Sequence, residues 1–151
     1  LPATMEYLET QGVPVIGYQT DELPAFYSRQ SGIRLNQRAD SPQDVARIAY
    51  AHWALGFRQG IILTVPVPEK DAIPHEEMES WINAALEQAQ SEGVHGNAVT
   101  PYLLDKVSQL SEGRSMQSNI ALLLNNAAVA SQVALELQGL MQLENGPFYY
   151  S

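Results

Sequence analysis

Apolar residues along this chain switch between helical and extended spacing, and the switches predict helices that lead into short buried strands. Thr4 to Gln11 reads as a short helix stopped by Gly12, and Val13-Pro14-Val15-Ile16-Gly17-Tyr18 then has the β-branched character of a strand. Ser41 before Pro42, with Asp44 in the first turn, is a helix start, and Val45, Ile48, Ala49 and Trp53 follow at helical spacing toward Gly56. After Gly60, Ile61-Ile62-Leu63-Thr64-Val65 is a near-continuous apolar run suited to a buried strand, halted by Pro66 and Pro68. Pro74 opens a helix with Glu76, Glu77 and Glu79 near its start and a buried stripe of Met78, Trp81, Ile82, Ala85, Leu86 and Ala89. Thr100-Pro101 repeats the cap-then-proline signal for a helix through Leu110, and Ser115 caps a long last helix to about Gln138.

This order contains only two strands, which do not make an independent sheet comfortably and are expected to join strands supplied elsewhere. The fold class is α/β, helix-rich with few strands. Residues 1–144 form the domain portion, and 145–151 are a tail with exposed Phe148, Tyr149 and Tyr150. Between the first strand and the Ser41 cap, Gln19 to Asp40 is turn-rich, and a loop of that length is functional, an interface or disordered. Ile120 to Leu137 is the most apolar stretch. Asn125, Asn126, Ser131, Gln132 and Glu136 interrupt it at depths where lipid would leave them unsatisfied, so it reads as a buried core helix and not a membrane span.

Charge narrows the partners. Eight Lys and Arg against 17 Asp and Glu leave a formal charge of −9, a field that repels nucleic-acid polymers and anionic lipid alike. A small phosphorylated ligand stays possible, because a few Arg or backbone N–H groups hold a phosphate locally. Cysteine is absent, which removes disulfides, thiolate nucleophiles and Cys-based zinc sites and is compatible with a cytoplasmic location. The opening Leu1-Pro2-Ala3-Thr4 carries no leader pattern, so the chain is expected to be cytosolic or cut from something longer.

Candidate chemistry is sparse. His52, His75 and His95 show no zinc-helix pairing, and the common dinucleotide, nucleotide and hydrolase signatures are unmatched. Lys70 and Lys106 sit among charged or loop residues, where a solvated ammonium is expected instead of an imine-forming amine. Asn119 and Asn126 fall about 20° apart on a helical wheel, on a face with Leu122, Leu123 and Ala130. Such amides either bond backbone groups and neighbouring helices or contact a ligand. Arg29, Arg34 and Arg38 could clamp a phosphate or carboxylate, or be ordinary surface residues.

Several segments together resemble the pseudouridine-5'-phosphate glycosidase family, also called indigoidine synthase A-like. They are Glu6-Tyr7-Leu8-Glu9-Thr10-Gln11-Gly12-Val13-Pro14, Gly17-Tyr18-Gln19-Thr20, Leu23-Pro24-Ala25-Phe26-Tyr27-Ser28-Arg29, Gly60 through Pro68, Thr100-Pro101-Tyr102-Leu103-Leu104, Ser115-Met116-Gln117-Ser118-Asn119-Ile120 and Asn125-Asn126-Ala127. The resemblance runs from the first residue to about Leu137 and corresponds to the carboxyl-terminal half of enzymes about twice this length. It implies a three-layer α/β/α fold, manganese, a homotrimer, and reversible cleavage of the C–C glycosidic bond of pseudouridine 5'-phosphate to uracil and ribose 5-phosphate. The family's imine-forming lysine, general-acid glutamate and metal-holding aspartate all lie upstream of the point matching Leu1, so the isolated chain is expected to be inactive without its amino-terminal half. Asn119 resembles the asparagine that lines the nucleobase side of the pocket, and Asn126 is expected to be a packing amide. Val65 and Asn97 stand where the family usually has Asn and Lys. These losses motivate the alternative of a non-catalytic assembly or binding protein derived from the family.

Overall fold

The computed structural model describes residues 2–25 and 28–144, with the side chains of Leu143 and Glu144 outside the description. Phe26, Tyr27 and the aromatic tail also lie outside the described residues. The elements are α1 (Pro2–Thr10), β1 (Val15–Tyr18), β2 (Gln37–Ala39), α2 (Pro42–Ala54), β3 (Ile62–Thr64), α3 (His75–Ser91), α4 (Val99–Leu110) and α5 (Arg114–Glu144).

The strands form one parallel sheet in the order β2-β1-β3, with Ile16 opposite both Gln37 and Leu63. The third strand corrects the expectation of two. Gln37-Arg38-Ala39 has only one apolar residue, and only Ala39 is buried. A polar strand leaves no hydrophobic period to read.

One face of the sheet makes the first core cluster. Ile16, Ala39 and Val45 are buried there, with Tyr18, Ile48, Ile61, Leu63 and Val133 packed against them, so α2 and the second half of α5 cover this face. The start of α2 matches its sequence signal: Ser41 Oγ accepts from the Asp44 amide at 3.1 Å, and proline occupies the first turn. A second cluster of Ile73, Met78, Ala85 and Val107, with Trp81, Ile82 and Leu103, joins α3 to α4. Leu86, expected in the buried stripe of α3, is 43% exposed. The α4 cap also differs, since the helix already begins at Val99 and Thr100 lies within its first turn.

The largest departure concerns α5. One flank is packed: Ser115, Ser118 and Val129 are buried, the Ser115 and Ser111 hydroxyls are 3.0 Å apart, and Val133 enters the first cluster. The opposite flank is open, with Leu123, Leu124 and Leu135 at 60%, 67% and 68% exposure. The helix is therefore half of a core helix, because α2, α4 and the segment after β3 reach only one of its sides. By length and a mean hydropathy of 1.5 it is also apolar enough to cross a membrane, although its packed flank belongs to the helical layer of the sheet.

Residues 19–25 and 28–36 fold back on one another. An antiparallel bridge joins Glu22 to Arg34, and the Leu23 and Leu35 amides donate to the Ile33 and Asp21 carbonyls at 2.8 and 2.9 Å. This lobe presses on Gly17: a Cβ there would overlap the Thr20 carbonyl oxygen and lie 2.9 Å from Leu35 Cδ1. Gly17→Ala should therefore lower stability by about 1–3 kcal/mol, read as a lower urea midpoint, because a backbone oxygen cannot rotate away. Gly60→Ala, whose Cβ meets nothing within 4 Å, should leave the midpoint unchanged. Equal midpoints for the two variants would contradict the close approach.

Candidate functional site

In an open parallel sheet, ligands bind beyond the carboxyl ends of the strands where chain connections leave in opposite directions. Here that place is β1/β3, since the chain passes from β1 to β2 on one side and then crosses to β3 on the other. The segments leaving it are Gln19-Thr20 and Val65-Pro66-Val67-Pro68.

Both segments are held firmly. Gln19 adopts a left-handed backbone with φ of 55°, its amide donates to the Ala39 carbonyl at 2.8 Å, and its side chain donates to the Asp40 carbonyl at 3.0 Å. Such a φ is uncommon outside glycine and costs of order 1 kcal/mol. Thr64 Oγ1 donates to the Ile16 carbonyl at 3.1 Å and ties the ends of β1 and β3 together. Beyond it, Pro66 and Pro68 lack N–H groups, so the segment depends on its carbonyls. Asn125 Nδ2 donates to the Pro66 carbonyl at 3.2 Å, and Arg29 Nη1 donates to the Val67 carbonyl at 2.6 Å. Val67 itself is 1% exposed. A residue from α5 and one from the lobe thus fix the same short turn.

The wheel centred on Asn119 and Asn126 misplaces the packed face of α5. Asn126 is exposed, and Asn125 is the packing amide. The packed positions Ser115, Ser118, Leu122, Asn125 and Val129 repeat at three- and four-residue steps, and that spacing is the signal by which the sequence identifies the face. Asn119 lies on the border of this face, half-buried, and its amide makes no side-chain hydrogen bond among the described residues. Helical rise puts it about 9 Å along the axis from Asn125, on the side of the α4 contact. Beside it the Ser118 hydroxyl is buried without a partner among the described residues.

The three arginines are not brought together. Arg38 is engaged by Asp40 and Asp21 at 2.7 and 2.8 Å, and its pKa is raised, first by its hydrogen bond to Asp40 and then by Asp21. Arg29 serves the Val67 carbonyl. Arg34 borders an open cleft of about 330 Å³ with Glu6, Glu9 and Gln37, at the amino ends of β1 and β2 and so at the opposite edge of the sheet.

The remaining candidates are dispersed. His52 stacks on Phe57 with centroids 5.0 Å apart, His75 pairs with Glu79 at 3.3 Å within the first turns of α3, and His95 is exposed. Lys106 lies 5.4 Å over the Tyr102 ring, and Lys70 is exposed on the 3₁₀ turn Glu69–Asp71. Arg114, held by Glu77 at 2.5 Å, has its pKa raised chiefly by that bond and sits 5.4 Å over Trp81. Among the described residues no group of three His, Cys, Asp or Glu is placed to hold a metal ion. The arrangement offers a rigid edge, and the Asn119 amide and Ser118 hydroxyl farther along α5 are uncommitted among the described residues. It can orient a ligand.

The family model described as indigoidine synthase A like protein matches residues 1–136. Proteins named pseudouridine-5'-phosphate glycosidase from Solibacter usitatus and Methylobacterium nodulans are 48% and 49% identical over 91% and 92% of this chain. The chain spans 46% and 41% of their lengths. Among solved structures, the prealnumycin C-glycosynthase in complex with ribulose 5-phosphate superposes with a TM-score of 0.84 at 39% identity, over 93% of this chain and 46% of that one. An indigoidine synthase A-like protein from Thermotoga maritima gives a TM-score of 0.74 at 37% identity, over 90% and 44%. This chain belongs to the indigoidine synthase A-like family and corresponds to less than half the length of the pseudouridine-5'-phosphate glycosidases it matches.

Proposed function

We propose that this chain is the carboxyl-terminal segment of a pseudouridine-5'-phosphate glycosidase and acts only together with the amino-terminal half. The observation that carries the reading is near 48% identity, over nine-tenths of the chain, to proteins bearing that name. The likeness to a C-glycosynthase solved with a pentose phosphate adds support, since a C–C bond to a five-carbon sugar phosphate is the bond at issue. In the reaction, one water is consumed: the bond between the uracil ring and the sugar C1' breaks, the ring carbon gains a proton and the sugar becomes ribose 5-phosphate.

Within this chain the carboxyl edge of β1/β3 forms one wall of the pocket. Asn119 presents a donor and an acceptor to the uracil edge, whose adjacent N–H and carbonyl groups require both. Asn125 and Arg29 act as positioning residues through the Pro66 and Val67 carbonyls. The imine lysine, the general acid and the manganese ligands come from outside the described residues, and the working form is a cytoplasmic homo-oligomer, a trimer.

Coexpression of this chain with the unmatched portion of the Solibacter usitatus relative, followed by assay with pseudouridine 5'-phosphate and manganese, should give uracil. A folded complex that releases none would overturn the reading and favour a non-catalytic assembly protein. In the active complex, Asn119→Ala should lower kcat/KM by about tenfold to a hundredfold, the loss of a buried polar contact. Unaltered kinetics would remove Asn119 from the pocket.

A further inference from the structure

The open flank of α5 has a spacing of its own. From Met116, alternating four- and three-residue steps reach Ile120, Leu123, Ala127, Ala130 and Ala134, and the same stepping continues to Met141. Met116, Ile120 and Leu123 are 53%, 51% and 60% exposed, and the three alanines are exposed as well. Between Arg114 and Glu136 the helix carries no charged side chain. This stripe lies on the side of the helix away from Ser118, Asn125 and Val129, and runs roughly 38 Å.

A 3–4 apolar repeat is the seam on which one helix packs along another. We propose that this stripe is the docking surface for a helix of the family's other half, one presenting large apolar side chains to Ala127, Ala130 and Ala134. The proposal rests on the functional reading above. Three observations select this occupant. The matched relatives are more than twice as long as the region they share with this chain, so in them a body of comparable size accompanies it. Two copies of the stripe would set alanine against alanine through its centre and leave voids, whereas a helix with large residues there would fill them. The net charge of −9 opposes adsorption of the flank onto anionic lipid.

The chain has no cysteine, so a single engineered thiol reports on one position. Ala127→Cys and, as an exposed control on α3, Glu87→Cys would be prepared alone and coexpressed with the unmatched portion of the Solibacter usitatus relative. The rate of maleimide modification at 127 should fall at least about tenfold in the complex and stay unchanged at 87. Circular dichroism of each variant confirms that the helices are intact. Equal rates at 127 with and without the partner, or failure of the two polypeptides to copurify, would overturn the proposal. So would protection at 127 that rises with concentration of this chain alone, which means a second copy, or that arises only on zwitterionic vesicles, which means a membrane. Protection in a complex that releases no uracil would leave the docking surface standing and sink the functional reading. Uracil release without protection would do the reverse.

Discussion

Helix α5 has to satisfy two surfaces at once, and most of the structure is arranged around the one it can reach. Its packed flank meets the α3/α4 unit near Ser115 and Ser118, the turn after β3 at Asn125, and the sheet cluster at Val133. Two small core clusters that share no buried residue are thereby joined along one rod. The second flank, with Leu123, Leu124 and Leu135 exposed, has no covering layer among the described residues.

The same asymmetry explains the character of the site. The carboxyl edge of β1/β3 is rigid for local reasons: Gly17 accepts the close approach of Thr20, Gln19 holds a left-handed turn, and two side chains fix consecutive carbonyls of the proline-rich segment. None of these groups is a nucleophile or a general base. In the proposed division of labour, this half builds a wall and a recognition amide, and the other half brings the reacting groups. The open cleft bordered by Arg34 lies at the amino ends of the strands, where a parallel sheet does not gather its ligands.

Much of this was legible in the sequence. The Ser41-Pro42 cap, the β-branched run at Ile16 and the apolar run at Leu63 carry their own local signals, and each element formed where those signals lie. What escaped has a common cause, which is that the deciding partner is distant in the chain. β2 is polar and becomes a strand through its pairing with β1. Asn125 outranks Asn126 because Pro66 lies on its side of the helix. The exposure of Leu123 and Leu124 reflects the absence of a covering layer among the described residues, and no periodicity reports on an absent neighbour. For Asn119 the sequence supplies a family position, and the structure supplies a half-buried amide with no side-chain partner among the described residues.

The central claim is that this chain shapes a C-glycosidase pocket without supplying its covalent chemistry. Reductive trapping tests it directly: the coexpressed complex is incubated with ribose 5-phosphate and borohydride, and each polypeptide is then weighed by mass spectrometry. The account predicts a sugar-phosphate adduct on the partner polypeptide and none on this chain. An adduct at Lys70 or Lys106, or no adduct on either polypeptide, would contradict it.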